Sequence, residues 1–174
     1  MFNSWLHSHR IGNILVFAPD GQVIVCCLNA PGSWHNARIA RDVYRKLACH
    51  TPDGFFLIGD TAFQSEELAD KIQTPLKEGN VLPDNQEEQA AAIAYSNKVT
   101  QARQAVEWGM RLIEAVFDRL HVPLKIHNPA RPQRLLEACV WLHNLQVVCM
   151  GINEICLVYA SRRNEMDIIH EQAH

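Results

Sequence analysis

The stretch Phe55-Phe56-Leu57-Ile58-Gly59-Asp60 decides the reading of the fold. A short apolar run ending in a carboxylate predicts a buried strand with Asp60 at its C-terminal tip. In an open α/β sheet that tip is where ligands and metals bind. On its N-terminal side Thr51-Pro52-Asp53-Gly54 is a loop. Before that loop Ser33 is the expected N-cap of a helix running to Leu47, with Ile39, Val43 and Leu47 at i, i+4 and i+8. Residues 11–18 and 22–28 are two apolar, β-branched runs around Pro19-Asp20-Gly21, turn chemistry that predicts an antiparallel hairpin. Asn29-Ala30-Pro31-Gly32-Ser33 is expected to break the second strand. The order strand, strand, helix, strand predicts an α/β fold with a mixed sheet flanked by helices.

Downstream, residues 64–83 read as a short helical piece and irregular loop, punctuated by Pro75, Gly79, Asn80 and Pro83. Residues 84–94 are acidic and then alanine-rich, an exposed helix with the character of an insertion. From Thr100 to Leu120 the pattern is strongly helical, with an apolar stripe of Val106, Met110, Ile113, Phe117 and Leu120, and Pro123 ends it. A final helix is expected from Pro132, at the first helical position, through Leu136, Cys139, Val140, His143 and Val147. Residues 1–160 are expected to form one domain, and the charged residues 161–174 a disordered tail.

Bulk properties exclude several classes. A net charge of −3 gives no general nucleic-acid footprint, so any basic surface has to be local. The six cysteines at 26, 27, 49, 139, 149 and 156 include no Cys-x-x-Cys, which supports neither a zinc ribbon nor a disulfide framework. Free thiols fit a reducing intracellular compartment. No apolar stretch reaches the roughly 20 residues that a membrane span needs. There is no Gly-x-Ser-x-Gly and no phosphate-binding glycine loop.

The candidate chemistry lies in two carboxylates. A strand-tip Asp60 and a Glu107 delivered from a helix can supply oxygen ligands to a hard divalent cation, the arrangement of metal-dependent phosphodiester cleavage. Each has a plainer reading. Asp60 also suits a turn or N-cap aspartate. Glu107 is offset from the apolar stripe, with Arg103 and Arg111 at i−4 and i+4 and Glu114 beyond, and also suits a surface helix with ordinary ion pairs. His7-Ser8-His9 places two imidazoles on one side of an extended segment but lacks a third zinc ligand at a familiar spacing. His143 lies on a core-facing helix and reads as a buried, hydrogen-bonded group.

Six segments in order resemble the DDE-superfamily endonuclease domain of PIF/Harbinger-type transposases, especially fungal and oomycete versions. They are Trp5-Leu6-His7-Ser8-His9, Phe17-Ala18-Pro19-Asp20-Gly21, Ala30-Pro31-Gly32-Ser33-Trp34-His35-Asn36, Gly59-Asp60-Thr61-Ala62-Phe63, Ala105-Val106-Glu107-Trp108-Gly109-Met110 and Leu136-Glu137-Ala138-Cys139-Val140-Trp141-Leu142-His143-Asn144. The likeness covers residues 3–159. It implies an RNase H-like fold in which three acids, Asp, Asp and Glu, hold two Mg²⁺ or Mn²⁺ ions for DNA strand cleavage and transfer. Asp60 matches the second acid and Glu107 the third.

The chain departs from that pattern in two places. The family's first Asp belongs on a strand preceding His7-Ser8-His9, and no residue of this sequence takes its place. Asp20 lies in a hairpin turn. Asn36 stands where the family commonly has Asp, at a position outside the three metal acids. The resemblance therefore implies an RNase H-like sheet lacking its first central strand, in an N-terminally truncated domain that is inactive as this fragment. It further implies a nuclear location, DNA as partner and a protein partner that supplies DNA binding. The alternative is a non-catalytic, domesticated transposase remnant that binds protein or DNA. A plain α/β domain of unrelated role is the third reading.

Overall fold

A computed structural model of the chain describes residues 2–3, 8–9, 11–77, 79–122 and 129–151. The tail at 161–174, Pro123, His7 and His127 lie outside the described residues. The architecture is mixed α/β, with helices predominating. Residues 1–33 with 105–174 form one compact unit, and residues 34–104 form another. Among the described residues the strands make three two-stranded ladders, two antiparallel and one parallel.

In the first unit, β1 (Phe2–Asn3) pairs with β2 (Ser8–His9), Phe2 opposite His9. The expected hairpin follows as β3 (Ile11–Phe17) and β4 (Val23–Pro31). Its turn closes through Gly21 N–H to the Ala18 carbonyl at 2.9 Å, with Gly21 at φ 88°, a conformation that a side chain would strain. Asp20 Oδ1 accepts the Gln22 amide at 2.9 Å, which confirms its place in the turn. The Asn29-Ala30-Pro31 segment bends β4 instead of ending it. Register shifts between Gly12 and Ile14, and between Val16 and Phe17, place one extra residue each on β4. Asn29 takes the left-handed conformation, φ 59°, that asparagine tolerates better than most residues. Its N–H donates to Asn13 Oδ1 at 2.8 Å, and its Nδ2 donates to the Pro129 carbonyl at 2.9 Å.

The C-terminal helix of the described residues, α4 (Ala130–Met150), buries Pro132, Cys139, His143 and Val147. The helix begins two residues before Pro132, which stays in the first turn, where a missing N–H costs nothing. It stops at Gly151, φ 75°, whose N–H reaches the Val147 carbonyl at 2.9 Å. His143, 2% exposed, donates from Nε2 to the Gly21 carbonyl at 3.0 Å and meets the Phe17 ring edge-on. A carbonyl can only accept, so this ring nitrogen bears the hydrogen. Asn144 takes both polar groups of Val23: Oδ1 accepts the amide at 2.8 Å and Nδ2 donates to the carbonyl at 2.9 Å. Val23, Ile113 and Cys139 form the buried centre, with Leu15, Phe17 and Leu135 packed around it. Burial pushes the Cys139 thiol up from its ordinary value, so it acts here as a small hydrophobe.

Residues 86–116 form one continuous helix, α3 (Gln86–Val116), in place of an exposed helix followed by a second one from Thr100. Its buried line is Val99, Ala102, Ala105, Gly109 and Ile113. Met110, expected in the stripe, is 40% exposed. The helix ends at Val116, and Asp118–His121 continues as a 3₁₀ turn.

In the second unit, α1 (Asn36–Ile39) and α2 (Arg41–His50) meet at Ala40. The cap is His35, whose Nδ1 accepts the Ala37 amide at 3.4 Å, and Ser33 remains in the preceding turn. Ile39, Val43 and Leu47 are buried as their spacing predicts. The apolar run before Asp60 gives only β5 (Leu57–Ile58), which pairs in parallel with β6 (Ile72–Gln73). Phe55 and Phe56 were expected inside, yet they are 66% and 48% exposed because they precede the ladder. Lys71, beside β6, sends Nζ to the Pro52 carbonyl at 3.0 Å and to Asp53 Oδ1 at 3.2 Å, tying β6 to the loop before β5.

Replacing Asn144 by Ala leaves the Val23 amide and carbonyl unpaired, and each such group costs about 1–3 kcal/mol. The expected loss is about 2–3 kcal/mol in urea melts. Leu145→Ala, at a side chain 59% exposed, is expected to change stability by no more than about 0.5 kcal/mol.

Candidate active site

Asp60 follows β5 after one residue, Gly59, and is exposed. Its backbone is fixed on both sides. Gly59 N–H donates to the Gln73 carbonyl at 3.0 Å, and the Asp60 carbonyl accepts the Phe63 amide at 2.9 Å. The residue caps a 3₁₀ turn, Thr61–Phe63, with Oδ1 accepting the Thr61 amide at 2.6 Å and the Thr61 hydroxyl at 3.3 Å. The plainer reading of Asp60 as a cap therefore holds for one carboxylate oxygen. Among the described residues no hydrogen bond reaches Oδ2.

The turn is buttressed from α2. Tyr44 donates its hydroxyl to the Phe63 carbonyl at 3.1 Å, and burial pushes the phenol up, so it remains a donor through the neutral range. Helix α1 packs against the same turn. Tyr44 and the Gln73 ladder were absent from the sequence-derived site. The signal available was the spacing of Tyr44 beside the Ile39-Val43-Leu47 stripe.

Glu107 lies on α3, half-buried, with Arg103 half-buried one turn before it and Arg111 and Glu114 exposed beyond. Both Arg103 and Glu107 are engaged in polar or electrostatic contacts. Asp60 belongs to the unit of residues 34–104 and Glu107 to the other. Among the described residues no three His, Cys, Asp or Glu side chains come together as a metal-binding group. Within either unit, then, the carboxylates fall short of the donor set that a two-metal centre requires. In the first unit a cleft of about 230 Å³ lies between the hairpin and the helices, lined by Leu15, Leu28, Ile113, Leu136 and Val140 with Glu114 and Asn13 as its polar members. Its mostly apolar lining is unsuited to a hard cation. Asn36 opens α1 and is exposed, and His35, His50 and His121 are exposed.

The cap role of Asp60 is separable from any role of its charge. Asp60→Ala is expected to lose about 1 kcal/mol in thermal or urea melts, whereas Asp60→Asn, which keeps a cap acceptor, is expected to lose only a few tenths.

Comparison with protein families gives one that spans most of the chain: the model described as DDE superfamily endonuclease matches residues 1–144, a range that contains both Asp60 and Glu107. No curated protein and no solved structure matches the chain. Such endonucleases act on DNA and generally use divalent metals. Among the described residues no helix is long and apolar enough to cross a membrane. On the strength of a match over residues 1–144 of 174, this chain belongs to the DDE superfamily endonucleases.

Proposed function

We propose that the chain is a PIF/Harbinger-type transposase endonuclease domain, RNase H-like in fold and spanning residues 1–160, with Asp60 and Glu107 as two of its three metal-binding acids. The observation that carries this reading is the setting of Asp60. A strand end and a capped turn hold its backbone rigidly, one carboxylate oxygen is committed to the cap, and the residue faces solvent. A group held in this way is pre-positioned for a ligand without further ordering. Mg²⁺ or Mn²⁺, when bound, supplies a water nucleophile and stabilises the leaving oxygen of a phosphodiester. Asp60 would present an oxygen donor, and Glu107 a second. Two of the three acids make a weak site, and the 174-residue chain is expected to be inactive on its own. A nuclear location and a protein partner that supplies further DNA binding belong to the same reading.

One observation favours the alternative, a non-catalytic remnant acting as a protein- or DNA-binding module. Among the described residues no three His, Cys, Asp or Glu side chains come together as a metal-binding group.

A melting series separates the readings. At ten times its Kd a bound ion stabilises the native state by about 1.4 kcal/mol, which raises Tm by roughly 3–5 °C in a chain of this size. Wild type is expected to show that rise with Mn²⁺ and Asp60→Asn to show none. Equal curves for both proteins would favour the non-catalytic module. Nicking of supercoiled plasmid is expected to be absent. Metal-dependent nicking that Asp60→Ala abolishes would overturn the inactivity of the chain.

A further inference from the structure

The chain totals −3, yet α1, α2 and the junction between them carry Arg38, Arg41, Arg45 and Lys46 against a single acid, Asp42. The three arginines stand at i, i+3 and i+7, and all are exposed. Ile39, Val43 and Leu47 stand at i, i+4 and i+8 and are buried at 8%, 5% and 5% exposure. At 3.6 residues per turn Arg41 and Arg45 lie on the side of α2 opposite Val43 and Leu47. The two helices meet at Ala40, whose N–H reaches the Asn36 carbonyl and whose carbonyl accepts the Tyr44 N–H, each at 2.9 Å. The arginines are thus exposed on two consecutive helices whose buried residues are Ile39, Val43 and Leu47.

Two further features mark this basic set. The Arg38 guanidinium lies 4.1 Å from the centre of the Trp34 ring, and Trp34 is 38% exposed. Stacking restrains a planar fork that matches phosphate geometry, so less freedom is lost on binding. Among the described residues Arg38 and Arg41 have no acidic partner, and Arg45 has only an exposed pair with Asp42 at 3.2 Å, an interaction of little strength. The set also belongs to the helices that buttress the Asp60 turn, through α1 packing and the Tyr44–Phe63 bond.

We infer that Trp34, Arg38, Arg41 and Arg45 form a sequence-independent docking strip for the phosphate backbone of duplex DNA. The choice of DNA over other polyanions rests on the proposed function. Arg41 and Arg45 are about 6 Å apart along α2, and Arg38 extends the set on α1, enough for two or three phosphates of one strand. Cations that contact phosphates release counterions, so each contact adds about 0.9 to the slope of log K against log salt.

The test is fluorescence anisotropy of a labelled DNA duplex with the full 174-residue chain in EDTA, over a salt series. Arg38→Ala/Arg41→Ala is expected to weaken binding to all sequences alike and to make the slope shallower by about 2. Arg38→Gln/Arg41→Gln, which keeps helix propensity, is expected to behave alike. Lys77→Ala/Arg131→Ala makes the same charge change at exposed positions elsewhere and is expected to leave the slope unchanged. Equal slopes for the strip and control variants, or no binding by wild type, would overturn the strip. Tighter binding of duplex RNA would overturn the assignment to DNA. No metal is present, so the outcome is independent of whether Asp60 and Glu107 hold an ion.

Discussion

Two adjacent side chains of α4 hold the end of the β3–β4 hairpin by its backbone, and the order of the first compact unit depends on them. A two-stranded ribbon is marginal in water without something packed on it. The planar amide of Asn144 offers one acceptor and one donor, and Val23 uses both. His143, one residue earlier, takes the Gly21 carbonyl inside the turn. These three hydrogen bonds bring Val23 against Ile113 and Cys139, so the polar clamp and the apolar core fix the same register. A buried polar pair of this kind is valuable because an alternative register would leave its members without partners.

Local chemistry was legible in the sequence where it was sufficient to decide the structure. Pro19-Asp20-Gly21 predicts the hairpin because the turn needs Gly21 at positive φ and an aspartate whose carboxylate accepts the Gln22 amide. The burial of His143 follows from its place on the α4 stripe. Non-local pairing was not legible. β6 is two residues long and exists because β5 lies beside it, a partner that its own composition does not announce. The same shortness explains Phe55 and Phe56, whose apolar character suggested burial although they precede the ladder. At 97–100, Asn-Lys-Val-Thr disfavours helix by only tenths of a kcal/mol per residue, and the continuous α3, with Val99 buried, outweighs that preference.

The candidate site was legible in part for a related reason. Asp60, expected at a strand tip, lies two residues past the end of β5, and its capping bond to Thr61 and the support from Tyr44 depend on a turn whose form the sequence leaves open. The basic strip was obscured by averaging, since a net charge of −3 conceals four cations within nine residues, 38–46. Family membership supplies what geometry alone does not: a reason for reading a solvent-facing aspartate and a half-buried glutamate as parts of one chemistry.

The central proposal is that Asp60 and Glu107 belong to one divalent-cation site, and iron-directed cleavage tests it most directly. Fe²⁺ placed in a Mg²⁺ site generates hydroxyl radicals with ascorbate and peroxide, and these cut the nearest backbone. The account predicts cuts near both residue 60 and residue 107, suppressed together by excess Mg²⁺ and by Asp60→Asn. Cuts near only one of the two positions, or a pattern indifferent to Asp60→Asn, would contradict it.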